Sequence, residues 1–443
     1  MRALTIAGTL LSAAQFCAVA GWPADTFAQA PAKAAPKGAP TVAAVPASAE
    51  ANVPSHKLKP NNGCRNTGPA FEPWLAQFKK DAAAKGVSQR TIAAALDGMT
   101  LEQSIINIDR GQRFFSQTFI SFSDKLASMN RVTNGRKRLE MHKAQFERAE
   151  REYGVAPAVI AAFWALESDF GSGMGNKPVL RSLAALAWDC RRGPMFREEL
   201  LAALKIIDRG DLTPADMIGS WAGELGQTQF LPTHYFNHAV DWDGDGKRNL
   251  MKSTADIIGS SAKFLKSIGW RAGEPWLQEV KLPANFPWEQ ADLAVKQPRS
   301  YWAAKGVKLA DGSPLPSDNV QTSILLLQSR HGPAFLAHPN FSAFTEWNQS
   351  LNYATTAAYL ATRIAGAPAM NRGTAQTLPM LEEAQMKELQ TLLARRGYPM
   401  GDIDGRMGAA TRTAVRQVQL KLGMPADSFP TVELLERLRG GGR

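Results

Sequence analysis

The chain has 443 residues, more than one compact domain usually takes, and 44% of them are hydrophobic, enough for a sizeable core. Its net charge of +11 suits an anionic partner, yet the basic residues fall in short runs such as Arg136-Lys137-Arg138 and Arg191-Arg192, and no nucleic-acid recognition motif accompanies them. No Walker or dinucleotide glycine pattern and no G-x-S-x-G elbow occurs, which excludes the common nucleotide-binding and serine-hydrolase readings.

The first residues read as an export signal over 1–30: Arg2, an apolar run from Ala3 to Ala20, and small-x-small endings at Ala18-Val19-Ala20 and Ala28-Gln29-Ala30. Cys17 follows Ala14-Gln15-Phe16, a poor lipobox, so a cleaved protein of the periplasm is expected rather than a lipoprotein. No other run is long and apolar enough to span a bilayer, so no transmembrane segment is expected once the signal is removed. Cys64 and Cys190 then remain, and in an oxidising compartment they are expected to pair. Residues 31–63, rich in Ala, Pro and Lys, read as a tether that cannot bury a core.

A folded unit is expected over 64–365. Two helices are predicted between Phe71 and Leu96, the first closed by Gly86 and the second capped by Ser88, with more helix from Phe119 to Tyr153. Val155 to Gly171 is the most informative stretch. It reads as a helix made almost wholly of apolar residues, with Pro157 in its first turn and Glu167 near its end. Glu167 lies four positions after Phe163 and three after Trp164, so it shares their face and should lose hydration, which raises a carboxyl pKa. A carboxyl still protonated near neutral pH is what general-acid cleavage of a glycosidic bond requires. The alternative is a helix-end Glu turned to solvent or paired with an Arg. Asp169, two residues on, should point to another face, so an adjacent acid–base pair is not expected.

Leu180 to Ile207 reads as helix broken around Gly193-Pro194, and Thr213-Pro214-Ala215-Asp216 as a helix start. Residues 219–235, G-S-W-A-G-E-L-G-Q-T-Q-F-L-P-T-H-Y, read as a long loop, where functional side chains are disproportionately found. Gln227 and Gln229 there offer donor and acceptor to sugar hydroxyls and acetamido groups. Glu224 is expected to be wetter and more acidic than Glu167. His234 and His238 stand four apart, but no Glu follows His234 as in H-E-x-x-H, and Pro232 argues against a stable helix there.

Residues 241–249, D-W-D-G-D-G-K-R-N, place Asp241, Asp243 and Asp245 at the first, third and fifth positions of an EF-hand-like loop, with Gly246 at the sixth and the Lys247 carbonyl at the seventh. Lys252 stands where a bidentate Glu is expected, and Asp256 is the substitute. A solvated acidic turn is the alternative to a calcium site. A helix is predicted over Asp256–Ile268, a less regular insertion over 275–340, and helix again over Trp347–Ile364. After a linker at 366–379, residues 380–440 read as a small three-helix unit.

Four motifs, E-S-D-F-G at 167–171, G-S-W-A-G-E-L-G-Q-T-Q-F-L-P at 219–232, D-W-D-G-D-G at 241–246 and W-N-Q-S-L-N-Y-A at 347–354, occur in this order. Together they resemble the lytic murein transglycosylases of the membrane-bound B type (glycoside hydrolase family 103), over about 65–365. The last unit resembles the peptidoglycan-binding domain one through L-Q-x-x-L at 389–393, D-G-R-M-G-A-A-T at 404–411 and A-V-x-x-x-Q at 414–419, with Ser428 where that family usually has glycine.

The resemblance implies a mainly α fold, a lysozyme-like catalytic domain followed by a three-helix peptidoglycan-binding domain. It implies non-hydrolytic cleavage of the β-1,4 bond between N-acetylmuramic acid and N-acetylglucosamine, with glycan strands as the partner and 1,6-anhydro ends as the product. Glu167 matches the family's single acid/base, Ser220 and Gln229 match residues lining the cleavage subsite, and Asn348 and Tyr353 match residues near the acid. Asp241, Asp243, Asp245, Lys247 and Asp256 fall on its calcium-loop region. No cofactor is expected for the chemistry, calcium is expected in a structural role, and a monomer is expected. The competing functions are a hydrolytic muramidase using the same acid and a non-catalytic wall-binding scaffold.

Overall fold

The computed structural model describes residues 63–111, 117–374 and 378–441. The expected signal at 1–30, and the tether up to its last residue, lie outside the described residues.

The chain begins with α1 (Phe71–Ala84) and α2 (Gln89–Leu96), separated at Gly86, whose φ of +88° only glycine takes without strain. Ser88 caps α2 by accepting from the Thr91 N–H at 3.2 Å, as expected. Then come α3 (Gln103–Arg110), α4 (Phe119–Leu126), α5 (Met129–Met141) and α6 (Lys143–Tyr153). The informative helix is α7 (Pro157–Ser168). It is apolar on nearly every side, and such a helix must be enclosed. Ala158 to Ala165 are all buried, with α5, α6, α11 (Thr254–Ser267) and α14 (Leu351–Ile364) around them.

Between α7 and α11 lie β1 (Lys177–Pro178), α8 (Val179–Trp188), α9 (Gly193–Asp208), β2 (Ile218–Gly219) and α10 (Pro232–His238). The pair β1–β2 is antiparallel and anchors the start of the glycine-rich loop. Cys64 and Cys190 are disulfide-bonded, fastening the beginning of the folded unit to the turn between α8 and α9. Helix α10 corrects the expectation of loop around His234 and His238. Pro232 occupies its first turn, where a missing N–H costs nothing, and so starts the helix rather than breaking it.

The expected irregular insertion is also corrected. Residues 277–337 hold β3 (Leu277–Lys281), β4 (Gln297–Pro298), α12 (Arg299–Ala304), β5 (Lys308–Leu309), β6 (Gln321–Leu326) and β7 (Ala334–Ala337). The strands form an antiparallel sheet in the order β4-β6-β7-β3-β5, with Leu277 and Ser323 both opposite Ala337. Phe286, Trp302, Ile324 and Leu336 give it a core of its own.

The single helix expected over Trp347–Ile364 is two: α13 (Phe341–Trp347) and α14, broken at Asn348, whose backbone is extended. The tail holds the three expected helices, α15 (Glu383–Arg395), α16 (Ala409–Lys421) and α17 (Val432–Arg439), around Leu389, Leu393, Val415, Leu434 and Leu435. It sits on the sheet. Buried Arg412 donates to the Leu326 carbonyl, Arg416 pairs with Asp292 at 2.6 Å, and the Arg330 N–H donates to Asp427 at 3.0 Å.

Candidate active site

Glu167 leaves the last turn of α7 into a cleft where it is only partly exposed. The helix break at Asn348 brings two donors to it. Trp347, the last residue of α13, donates its Nε1–H to Glu167 Oε1 at 2.9 Å, and the Tyr353 hydroxyl from the first turn of α14 donates to the same oxygen. The Trp347 ring stacks on Phe163 with centroids 3.9 Å apart, so the face shared by Phe163 and Glu167 also carries their common neighbour. Phe230 and Phe264 flank the indole at 5.6 and 5.2 Å.

Loss of hydration pushes the Glu167 carboxyl up to about 7, opposed by the Tyr353 and Trp347 hydrogen bonds and assisted by the charge of Glu224. Two donors on Oε1 favour the carbonyl form of that oxygen. The proton therefore belongs on Oε2, which has no hydrogen-bond partner among the described residues. Such a group can donate a proton at neutral pH and hold the resulting carboxylate between two fixed donors.

The loop after β2 forms the facing wall. It folds back on itself: Leu225 bridges both Gly219 and Phe230, and the Ser220 N–H donates to the Glu224 carbonyl at 3.0 Å. A Cβ at Gly219 would stand 2.0 Å from the Glu224 oxygen, so glycine is required there. Ser220 Oγ accepts the N–H groups of Ala222 and Glu224 at 3.2 and 3.1 Å, while its hydroxyl also bonds the Glu224 carboxylate. The expected wet and acidic Glu224 is thus corrected. Desolvation raises its pKa, with Ser220 and Arg192 opposing, because the hairpin-like loop draws it toward Glu167 instead of solvent.

The two glutamines differ in use. Gln227 ties the loop to the fold: its Oε1 accepts from Trp164 Nε1 at 2.8 Å and its Nε2 donates to the Met251 carbonyl at 3.1 Å. Ser168 also donates to the Gln227 carbonyl, at 2.6 Å. One donor and one acceptor of its amide are thus engaged in packing. Gln229 has a φ of +48°, an uncommon conformation for a side-chain-bearing residue, and its Nε2 reaches the carbonyls of Gly226 and Met174 at 2.9 and 3.2 Å. Both amide hydrogens are thereby fixed and Oε1 is oriented. Asn348 accepts from the Ser350 N–H at 2.9 Å and so shapes the α13–α14 break. Asp169 pairs with Arg131 through two bonds of 2.6 and 2.8 Å.

In the acidic loop, carboxylate oxygens of Asp241, Asp243 and Asp245 lie within 4.8 Å of one another. Backbone N–H groups turn the loop around them: Gly244 and Gly246 donate to Asp241 at 2.7 and 2.9 Å, and Lys247 to Asp245 at 2.8 Å. Asp256 does not join the three. Fully buried, it accepts from the Trp242 N–H at 2.7 Å and the Asn249 N–H at 2.6 Å, clamping the two ends of the loop. The three-carboxylate cluster fits a hard cation with oxygen ligands; the fourth side chain serves the scaffold.

Residues 70–362 match the family model described as a transglycosylase SLT domain, and residues 382–438 match the one described as a putative peptidoglycan binding domain. The membrane-bound lytic murein transglycosylase B of Escherichia coli (strain K12) is 32% identical over 240 residues, covering 53% of this chain and 64% of that protein. The chain thus spans just under two thirds of that relative's length. The crystal structure of SltB3 from Pseudomonas aeruginosa in complex with NAG-NAM-pentapeptide superposes with a TM-score of 0.79 at 41% identity, over 84% of this chain and 100% of that one. The lytic transglycosylase Slt35 of Escherichia coli, in a structure with calcium, superposes with a TM-score of 0.58 at 27% identity, over 70% of this chain and 98% of that one. The helical domain accordingly has the expected lysozyme-like fold.

Proposed function

Because the chain belongs to the transglycosylase SLT domain family, we propose that it is a lytic transglycosylase of peptidoglycan, with Glu167 as its general acid and base. The observation that carries this reading is the Glu167 carboxyl, raised to about 7, with both donors on one oxygen. From Oε2 it protonates the oxygen leaving between N-acetylmuramic acid and N-acetylglucosamine as the C1–O bond breaks. The substrate's own acetamido oxygen closes on C1, so no second carboxylate is needed as nucleophile. Glu167, now ionised and held by Tyr353 and Trp347, takes the proton of the C6 hydroxyl as that oxygen attacks C1 and displaces the acetamido group. The proton count closes, no water is consumed, and the product ends in a 1,6-anhydro ring.

Asn348 and the fixed Oε1 of Gln229 are read as sugar contacts beside the acid. Ser220 acts through Glu224. The tail retains the enzyme on its polymer, and the +11 charge favours an anionic one. Calcium is read as structural: Asp241, Asp243, Asp245 and the Lys247 carbonyl would hold it and relieve carboxylate repulsion, with no part in the chemistry. Export to the periplasm is the matching location, supported by the N-terminal apolar run and the disulfide.

The test is mass spectrometry of purified cell wall digested by the protein. Anhydro-muramyl ends are expected; reducing muramyl ends would make the enzyme a hydrolytic muramidase. Glu167→Gln, which keeps the shape and loses the proton donor, should slow the reaction by about 10²–10⁴-fold. Undiminished clearance of wall by that variant would remove Glu167 from its role.

A further inference from the structure

A recess of about 370 Å³ lies between the end of α9, the C-terminal end of α10 and α11, away from Glu167. Its volume falls at the small end of the roughly 300–1,000 Å³ range of ligand pockets. Arg209, Arg248 and Lys263 line it together with Phe236, Asn237 and Asp241.

The charge in this recess is not balanced. Buried Asp211 takes both arginines, accepting from Arg209 Nε and from Arg248 Nη1 at 3.2 Å, so one carboxylate answers two guanidinium groups. Arg209 also donates Nη1 to the Phe236 carbonyl at 2.8 Å, and its Nη2 is enclosed without a hydrogen-bond partner, so this residue brings charge to the recess rather than a free fork. Lys263 has no carboxylate partner among the described residues; its ammonium makes one long bond, 3.4 Å, to the Asn237 carbonyl. Asp241 also borders the recess, with its oxygens accepting the Gly244 and Gly246 N–H groups, so the three cations face two carboxylates, Asp211 and Asp241, and one positive charge is in excess. Burial, then the charges of Arg248 and Arg209, depress the Lys263 pKa, in keeping with three cations crowded together. Partly burying positive charge in excess of the neighbouring carboxylates is unfavourable, and a bound anion relieves that cost. Guanidinium groups present planar forks suited to oxyanions, and the Phe236 ring supplies an apolar wall.

We propose that this recess is a second, non-catalytic binding site for a small oxyanion, a phosphate or carboxylate group, held by Lys263 and Arg248 with the charge of Arg209 behind them. Glu167, Trp347 and Tyr353 are not among the residues that line it.

Isothermal titration of the full chain with inorganic phosphate, and separately with N-acetyl-D-alanine, tests the site at constant ionic strength and without added calcium. N-acetyl-D-alaninamide and sodium chloride are the controls. Saturable binding is expected from at least one anion. Phosphate alone identifies a phosphoryl ligand and N-acetyl-D-alanine alone a carboxylate; both support the site. Lys263→Met should weaken binding about tenfold, about 1.4 kcal/mol, and Lys263→Arg should restore it, with wall cleavage unchanged in both. Arg248→Met, which keeps the backbone N–H bonded to Asp211, is the second variant and should weaken binding likewise. No saturable binding above the chloride control, or wild-type affinity in Lys263→Met and Arg248→Met, overturns the proposal.

Discussion

At Glu167, opposing influences give opposite predictions. The proposed reaction begins with the protonated acid, so kcat/KM should fall as pH rises through about 7. The charge of Glu224 raises this pKa, and Glu224→Gln should move the falling limb to lower pH. The Tyr353 hydroxyl stabilises the ionised form, so Tyr353→Phe should move the limb to higher pH. A pH profile of cleavage by both variants checks the signs; unchanged limbs with lower rates would mean that these residues only support the fold. A second residue-scale effect sits in the tail. Ser428, where glycine is usual, has a φ of +63° and a buried hydroxyl without a partner. Ser428→Gly should therefore stabilise the chain by about 1 kcal/mol, the left-handed strain outweighing glycine's entropy cost. The urea midpoint would show it, and a lower midpoint would contradict it.

Between elements, junctions do the positioning. The break at Asn348 aims the last residue of α13 and the first turn of α14 at one oxygen of Glu167; an unbroken helix would carry Trp347 and Tyr353 on a single rod. The loop from α10 to α11 is built around its carboxylates, with Asp256 joining its ends. Its three exposed or partly exposed aspartates should bind calcium. Added calcium is expected to raise the melting temperature and a chelator to lower it, by a stability change of about 2.7 kcal/mol at a hundredfold excess over Kd. Asp243→Asn should remove most of that shift. Identical melting in calcium and chelator would leave the loop an acidic turn.

Across the whole molecule, the sheet subdomain connects catalysis to retention. One side of the chain's order leads from β3 and β7 into α13, and so to Trp347; β6 and its neighbours receive the tail. Arg412 is the buried fastening, donating to the Leu326 carbonyl; burial lowers its pKa, and the charges of Asp292 and Asp427 oppose that shift. Arg412→Met keeps the stem and loses the charged bond, so it should cost about 1.5–3 kcal/mol. Urea unfolding and protease cleavage near residues 375–379 would report the loosened tail; a wild-type midpoint and cleavage rate would show that the contact carries no weight.

Much of this was legible in the chain alone. Periodicity and caps placed α1, α2, α7 and the three tail helices, because a helix records its buried face every three or four residues. The environment of Glu167 was readable for the same reason: Phe163 is four positions away on its own helix. Ordered motifs marked the loop and the acidic turn. What pairs across long separations was not legible. The sheet has strands of two to six residues, too short for a firm alternation, and its pairing brings residues 277 and 337 together. Trp347 and Tyr353 reach Glu167 from 180 and 186 positions away. Glu224 looked wet because nothing local shows that its loop folds back. Local chemistry determined which carboxyl was suited to carry a proton; only tertiary packing decided which groups surround it and set its pKa, since desolvation and fixed donors depend on neighbours in space.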